Sequence, residues 1–143
     1  MQNMSKLRNL CLFKTDFCSE TYLFLSIPHR LRSSLAKFRV GNHDLEIEQG
    51  RHQKLPVNRR ICKLCLTLRK NYVEDEYHVI MQCPFYDELR SIYLDIIDEP
   101  KNLYTFNSVM SLQNEHHLVK LACFIHNMFK VRLHLLSQLR AVL

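Results

Sequence analysis

The 143-residue sequence has only two glycines and four prolines. That is too few for a β-rich chain, which needs many tight turns, so a mainly α fold is expected. Two glycines also exclude a glycine-rich phosphate loop. No apolar run approaches the roughly 18–20 residues of a membrane span. Near the N-terminus, Lys14 and Asp16 interrupt the apolar stretch that a signal peptide would need. A reducing intracellular compartment is expected, nuclear or cytoplasmic, and there stable disulfides are rare. No serine, cysteine or lysine is flanked by a convincing base, so a nucleophilic enzyme is not expected.

What is present begins with a core. Apolar residues make up 47% of the chain, which argues for folding and against disorder. The length suits one compact unit. Within it we distinguish an N-terminal helical segment over 1–50, a cysteine–histidine module over 51–98, and a C-terminal amphipathic segment over 99–143.

The net charge of +6 is unevenly spread: residues 28–70 carry +8 and residues 71–99 carry −7. The basic block is either a phosphate-facing surface or a solvated face paired with the acidic block.

Leu7, Leu10, Cys11, Phe13 and Phe17 fall near a helical period. Pro28 opens a helix with Leu31, Leu35 and Phe38 on one face, and Gly41 ends it. The alternating Leu45 and Ile47 predict a short strand before an exposed basic loop. Asp75 is placed to cap a helix running to Gln82, and Pro84 to start another through Leu89, Ile92, Tyr93 and Ile96. From about Asn114, Leu118, Leu121, Ile125, Met128, Leu135 and Leu139 recur at three- and four-residue steps. Arg132 fills the one missing place. This stripe predicts core packing, with self-association through the C-terminal helix as the alternative.

The strongest chemical signal is Cys62, Cys65, His78 and Cys83, spaced C-x2-C-x12-H-x4-C. Two residues between cysteines let one tight turn offer two thiolates, and a helix can present the other pair. One structural Zn2+ held by these four residues is expected, inside a zinc-stapled knuckle or short β-hairpin. The alternatives are buried but unconnected residues, or a redox C-x-x-C; the latter lacks a surrounding βαβ pattern. Cys11, Cys18 and Cys123 are expected in the core.

A closed four-ligand site has no open position for water, so catalysis at the metal is not expected. Glu74, Asp75 and Glu76 open the ligand-bearing helix and would face DNA phosphates badly. They are expected instead to cap the helix, or to hydrogen-bond the second nitrogen of His78. Nucleic-acid contact then falls to Arg51, Lys54, Arg59, Arg60, Lys63, Arg69 and Lys70. A nuclease built on Glu99 and Lys101, with Asp87 and Asp95, is disfavoured because Pro100 separates Glu99 from Lys101 and the upstream acids fall on a predicted helix. His116, His117, His126 and His134 share no close spacing with a cysteine and are expected to be surface or core residues.

The runs RSSLAKFRVGNHDLEIEQGR, RRICKLC, VEDEYHVIMQCPFYDELR and NEHHLVKLACFIHNMFKVR together resemble the C-terminal tail of non-LTR, LINE-like retrotransposon reverse transcriptases. The resemblance spans about residues 10–134. It implies Cys62, Cys65, His78 and Cys83 as ligands, and places Arg39, His43, Leu45, Ile47, Glu48, Gly50 and Arg51 on the preceding signature. No Tyr/Phe-x-Asp-Asp polymerase motif is present. The resemblance therefore implies a non-catalytic accessory module that binds RNA or DNA with low specificity. A reverse transcriptase is a further candidate partner, and no membrane is involved. A zinc-dependent protein-interaction module, using the acidic helix and the C-terminal stripe, and a non-functional element remnant remain open alternatives.

Overall fold

The computed structural model describes residue 7, residues 9–95, residue 97 and residues 101–142. Its secondary structure is helical: α1 (Leu10–Phe13), α2 (His29–Arg39), α3 (Glu46–His52), α4 (Lys63–Thr67), α5 (Asp87–Tyr93), α6 (Leu103–Met110) and α7 (Glu115–Val142). A π-helical turn spans His78–Gln82, and 3₁₀ turns cover Thr21–Leu23, Val57–Arg59 and Pro84–Tyr86. Among the described residues no strand forms. The anticipated hairpin is reduced to one antiparallel bridge between Ile61 and Val73.

The spine is α7. It packs on α2 along one side and on α5 along another, and it also touches α4. Leu31, Leu35 and Phe38 from α2 meet Leu118, Leu121, Ile125 and Met128 from α7 in one continuous core. Val79, Ile80, Met81 and Tyr86 join the same core from the middle of the chain, Phe106 and Met110 from α6. The stripe on α7 is thus buried as far as Met128, while Leu135 and Leu139 are only partly covered. This long helix is not apolar enough to cross a membrane, nor is any other among the described residues.

Helix ends follow local chemistry. Pro28 precedes the first turn of α2, where its missing N–H costs nothing. Asn102 accepts the Thr105 N–H at 2.9 Å to start α6, and Asn114 accepts that of His117 at the start of α7. At its other end α2 closes in a Schellman motif: the Asn42 N–H reaches the Lys37 carbonyl and that of Gly41 the Phe38 carbonyl. Gly41 takes the left-handed position, φ 67°, which glycine occupies without strain.

Four further expectations fail. Leu45 and Ile47 lie not on a strand but at the start of α3, because contacts from a distant segment hold that turn in helical form. The Glu74 carboxylate accepts the Glu46 N–H at 2.8 Å, and the Glu74 carbonyl accepts that of Ile47 at 3.0 Å. The N-terminal pattern yields only the four-residue α1, and Phe17 is fully exposed. Cys11, on that short helix, and Cys18, after it, are exposed rather than in the core, and Cys123 is half-buried. The helix expected to run through Ile96 ends at Tyr93, and Ile96 lies outside the described residues.

Candidate metal centre

Four side chains from two segments converge on one point. Cys62 caps α4, its Sγ accepting the Cys65 N–H at 3.5 Å, so the C-x2-C spacing is one helical turn. The loop that follows is drawn closed by paired backbone bonds. The Cys62 N–H donates to the Tyr72 carbonyl at 2.8 Å and the Glu74 N–H to the Arg60 carbonyl at 2.9 Å. Asp75 Oδ1 then accepts the His78 N–H at 2.8 Å and starts the turn that carries the third candidate ligand.

The π-helical winding has a geometric reason. On an ordinary α-helix, residues five apart point about 140° away from one another. Widening the turn lets the Cys83 N–H reach the His78 carbonyl at 2.8 Å and brings both side chains to one side. Pro84 forces Cys83 into extended backbone, which ends the turn there. Arg90 supports the distorted segment. Its guanidinium donates to the carbonyls of Val79, Ile80 and Cys83, and it pairs with Asp87 at 2.7 Å.

The candidate ligand atoms of Cys62, Cys65, His78 and Cys83 all lie within 4.8 Å of one another, and all four residues are buried. Cys65 Sγ stands 3.4 Å from His78 Nε2 and 3.8 Å from Cys83 Sγ. The thiols share charge unequally. A hydrogen bond from Cys83 holds the Cys62 thiol down at about 4, whereas burial pushes Cys65 up to about 11, helped by the charge on Cys62. Cys83 is driven far upward as well, chiefly by its hydrogen bond to Cys62. One thiolate therefore forms readily, and a second or third needs a cation beside it. The set fits a single metal ion.

Around this cluster the acids turn inward. Glu74 is buried, and Arg132 donates to both its oxygens, from Nε at 2.9 Å and from the terminal nitrogen at 2.7 Å. Burial pushes the Glu74 carboxyl up while Arg132 opposes that shift. Arg132 also approaches Glu46 at 3.5 Å, and Glu46 receives Lys63 at 2.7 Å. Glu76 pairs with His43 at 2.8 Å. No carboxylate reaches His78 Nδ1, which is buried without a hydrogen-bond partner. The Tyr72 ring instead lies against the imidazole, centroids 5.5 Å apart.

The seven candidate nucleic-acid residues divide. Lys54, Arg59, Lys63, Arg69 and Lys70 are exposed. Arg60 is structural: its stem crosses Gly50, and its nitrogens donate to the carbonyls of Leu55 and Ile47 at 2.7–3.0 Å. A Cβ on Gly50 would sit 2.4 Å from Arg60 Cγ. Arg51 is tied to the buried Glu48 at 2.8 Å. Neither Arg90 nor Arg132 has a separate role assigned by spacing or composition. Their signals were a cation seven residues after Cys83 and a lone cation in an apolar stripe. Of the disfavoured nuclease set, Glu99 and Pro100 lie outside the described residues, and Asp95 pairs with Lys120 at 2.9 Å.

Comparison with protein-family models, with curated proteins and with solved structures finds no match.

Proposed function

We propose that this chain is a non-catalytic zinc-binding module that holds RNA or DNA through the exposed cations beside its metal site. The ligand separations support zinc. A tetrahedral ion with Zn–S bonds of about 2.3 Å separates two sulfurs by about 3.8 Å, and a sulfur from a nitrogen by about 3.5 Å. Cys65 matches both, standing 3.8 Å from the Cys83 sulfur and 3.4 Å from His78 Nε2, with all four ligand atoms within 4.8 Å of one another. Cys62, Cys65, His78 and Cys83 fill all four positions, so the ion's work is to fold the loop and not to activate water.

The observation that carries the binding claim is a charge asymmetry. Residues 51–73 contain seven Lys/Arg and no acid. Five of those cations face solvent, whereas Glu74 and Glu76, next in sequence, are buried and paired. Phosphate contacts from such a face give low sequence specificity and steep salt dependence. This agrees with the resemblance to the accessory tail of a reverse transcriptase. The test is affinity for RNA and DNA oligonucleotides from about 50 to 200 mM salt. A loss of at least tenfold is expected, and affinity that stays level sinks the proposal.

A second reading, a zinc-dependent protein-interaction module, rests on Leu66, Leu68 and Tyr72, which are 43–48% exposed on the same knuckle. It predicts binding that salt hardly weakens. The acidic helix and the C-terminal stripe support it less, since Glu74, Glu76 and much of the α7 stripe are buried.

A further inference from the structure

Three helices end in the same backbone motif, but the residue in its left-handed position differs. In α2 that residue is Gly41. In α3 it is Lys54, φ 57°, with the Leu55 N–H bonded to the Gly50 carbonyl and that of Lys54 to the Arg51 carbonyl. In α4 it is Arg69, φ 58°, with the Lys70 N–H on the Cys65 carbonyl and that of Arg69 on the Leu66 carbonyl. Both are complete Schellman caps. An L side chain crowds the following carbonyl in this conformation, and glycine relieves the crowding. Leu7 is the remaining described non-glycine residue with positive φ, and it lies outside any helix cap.

Neither cation recovers that cost through packing. Lys54 and Arg69 are both exposed, and neither forms an ion pair among the described residues. Both sit on the acid-free stretch, one on the helix before the metal knuckle and one on the knuckle itself. Strained backbone that persists without a structural return points to function. We propose that Lys54 and Arg69 are the two anchoring phosphate contacts of the nucleic-acid surface, each projected from a rigid helix end. Their ligand is the phosphodiester backbone, irrespective of base. This rests on the nucleic-acid function proposed above and narrows its five exposed cations to two anchors.

A competing structural role exists, because a cation near a helix C-terminus also favours the helix dipole. Glycine substitution separates the two. Lys54→Gly, Arg69→Gly and the double variant are compared with Lys54→Arg and Arg69→Lys, using a labelled single strand and its duplex across a salt series. If these are strained anchors, each glycine raises the thermal midpoint by about 2–5 °C. Each should also flatten the slope of log K against log salt by about 0.7–0.9. The charge-preserving variants should keep both wild-type values. A lowered midpoint on glycine substitution would show that the side chains serve the helix ends, and an unchanged slope would show that phosphates bind elsewhere. Either result overturns the anchor assignment while wild-type binding keeps the parent function. Wild-type protein that binds neither strand nor duplex removes both.

Discussion

The basic stretch 51–73 and the acidic stretch 74–99 lie side by side in sequence, yet they use charge in opposite ways. In the first, five of seven cations point to solvent. In the second, Glu74 holds Arg132, Glu76 holds His43, and Asp75 caps the turn that presents His78. The one cation of that stretch, Arg90, is buried against backbone carbonyls. Directly beside the metal cluster charge is therefore sorted by sign. Glu74 and Glu76 turn inward as structure and five cations face outward, while acids reach the surface only farther on, at Asp87, Glu88 and Asp95. A block's net charge cannot show this, because it weighs a buried paired carboxylate the same as a solvated lysine.

The largest effect expected is at the candidate metal centre, whose four residues come from both stretches. Cys83→Ser removes one candidate ligand of the proposed zinc, and binding of such an ion is worth about 10 kcal/mol or more to a small module. Metal content should fall and helicity with it. Wild-type helicity and melting in a strong chelator would break the claim that metal organises this boundary.

Next comes the inward side. Glu74→Gln leaves the buried Arg132 guanidinium with only the more distant Glu46 carboxylate at 3.5 Å, which should cost up to about 3–5 kcal/mol in urea unfolding. Adding Arg132→Met should return part of that loss, since no unpaired charge then remains. Strict additivity of the two substitutions would mean that the pair does not act as a unit.

Gly50→Ala tests a cation that sides with the structural group. The new methyl displaces the Arg60 stem from over α3. A cost of about 1–3 kcal/mol is expected, and melting equal to wild type would return Arg60 to the surface set.

The smallest change in stability should come from the outward side. Arg59→Gln and Lys70→Gln should stay within about 0.5 kcal/mol of wild type. Each should lower the salt slope for nucleic acid by less than the about 0.7–0.9 expected at Lys54 or Arg69. If either destabilised the fold as much as Glu74→Gln, the contrast between the stretches would disappear.

Much of the fold is legible in sequence where the cause is local. Pro28 and Gly41 bracket α2, Asp75 starts its turn, and the three- and four-residue steps of α7 mark its buried face. The four candidate ligands are legible as a spacing pattern, but spacing alone puts only Cys62 beside Cys65; His78 meets Cys83 through the π-helical turn. Features fixed by distant partners are not. The alternation of Leu45 and Ile47 resembles a strand until a carboxylate from position 74 caps the helix there. The π-helical winding at His78–Gln82 depends on Arg90 collecting carbonyls from a later helix. The left-handed cations at Lys54 and Arg69 carry no local mark, because glycine is the residue that announces such a turn.

Arg132 has one more consequence. An apolar stripe that repeats every three or four residues meets α2 almost as well after α7 slides by one turn, since leucine again faces leucine. A slip of about 5.4 Å would carry Arg132 away from Glu74 and strand both charges in the interior. Hydrophobic contact holds the long helix down, and its ionic pairs, Arg132 with Glu74 inside and Lys120 with Asp95 at the surface, oppose sliding.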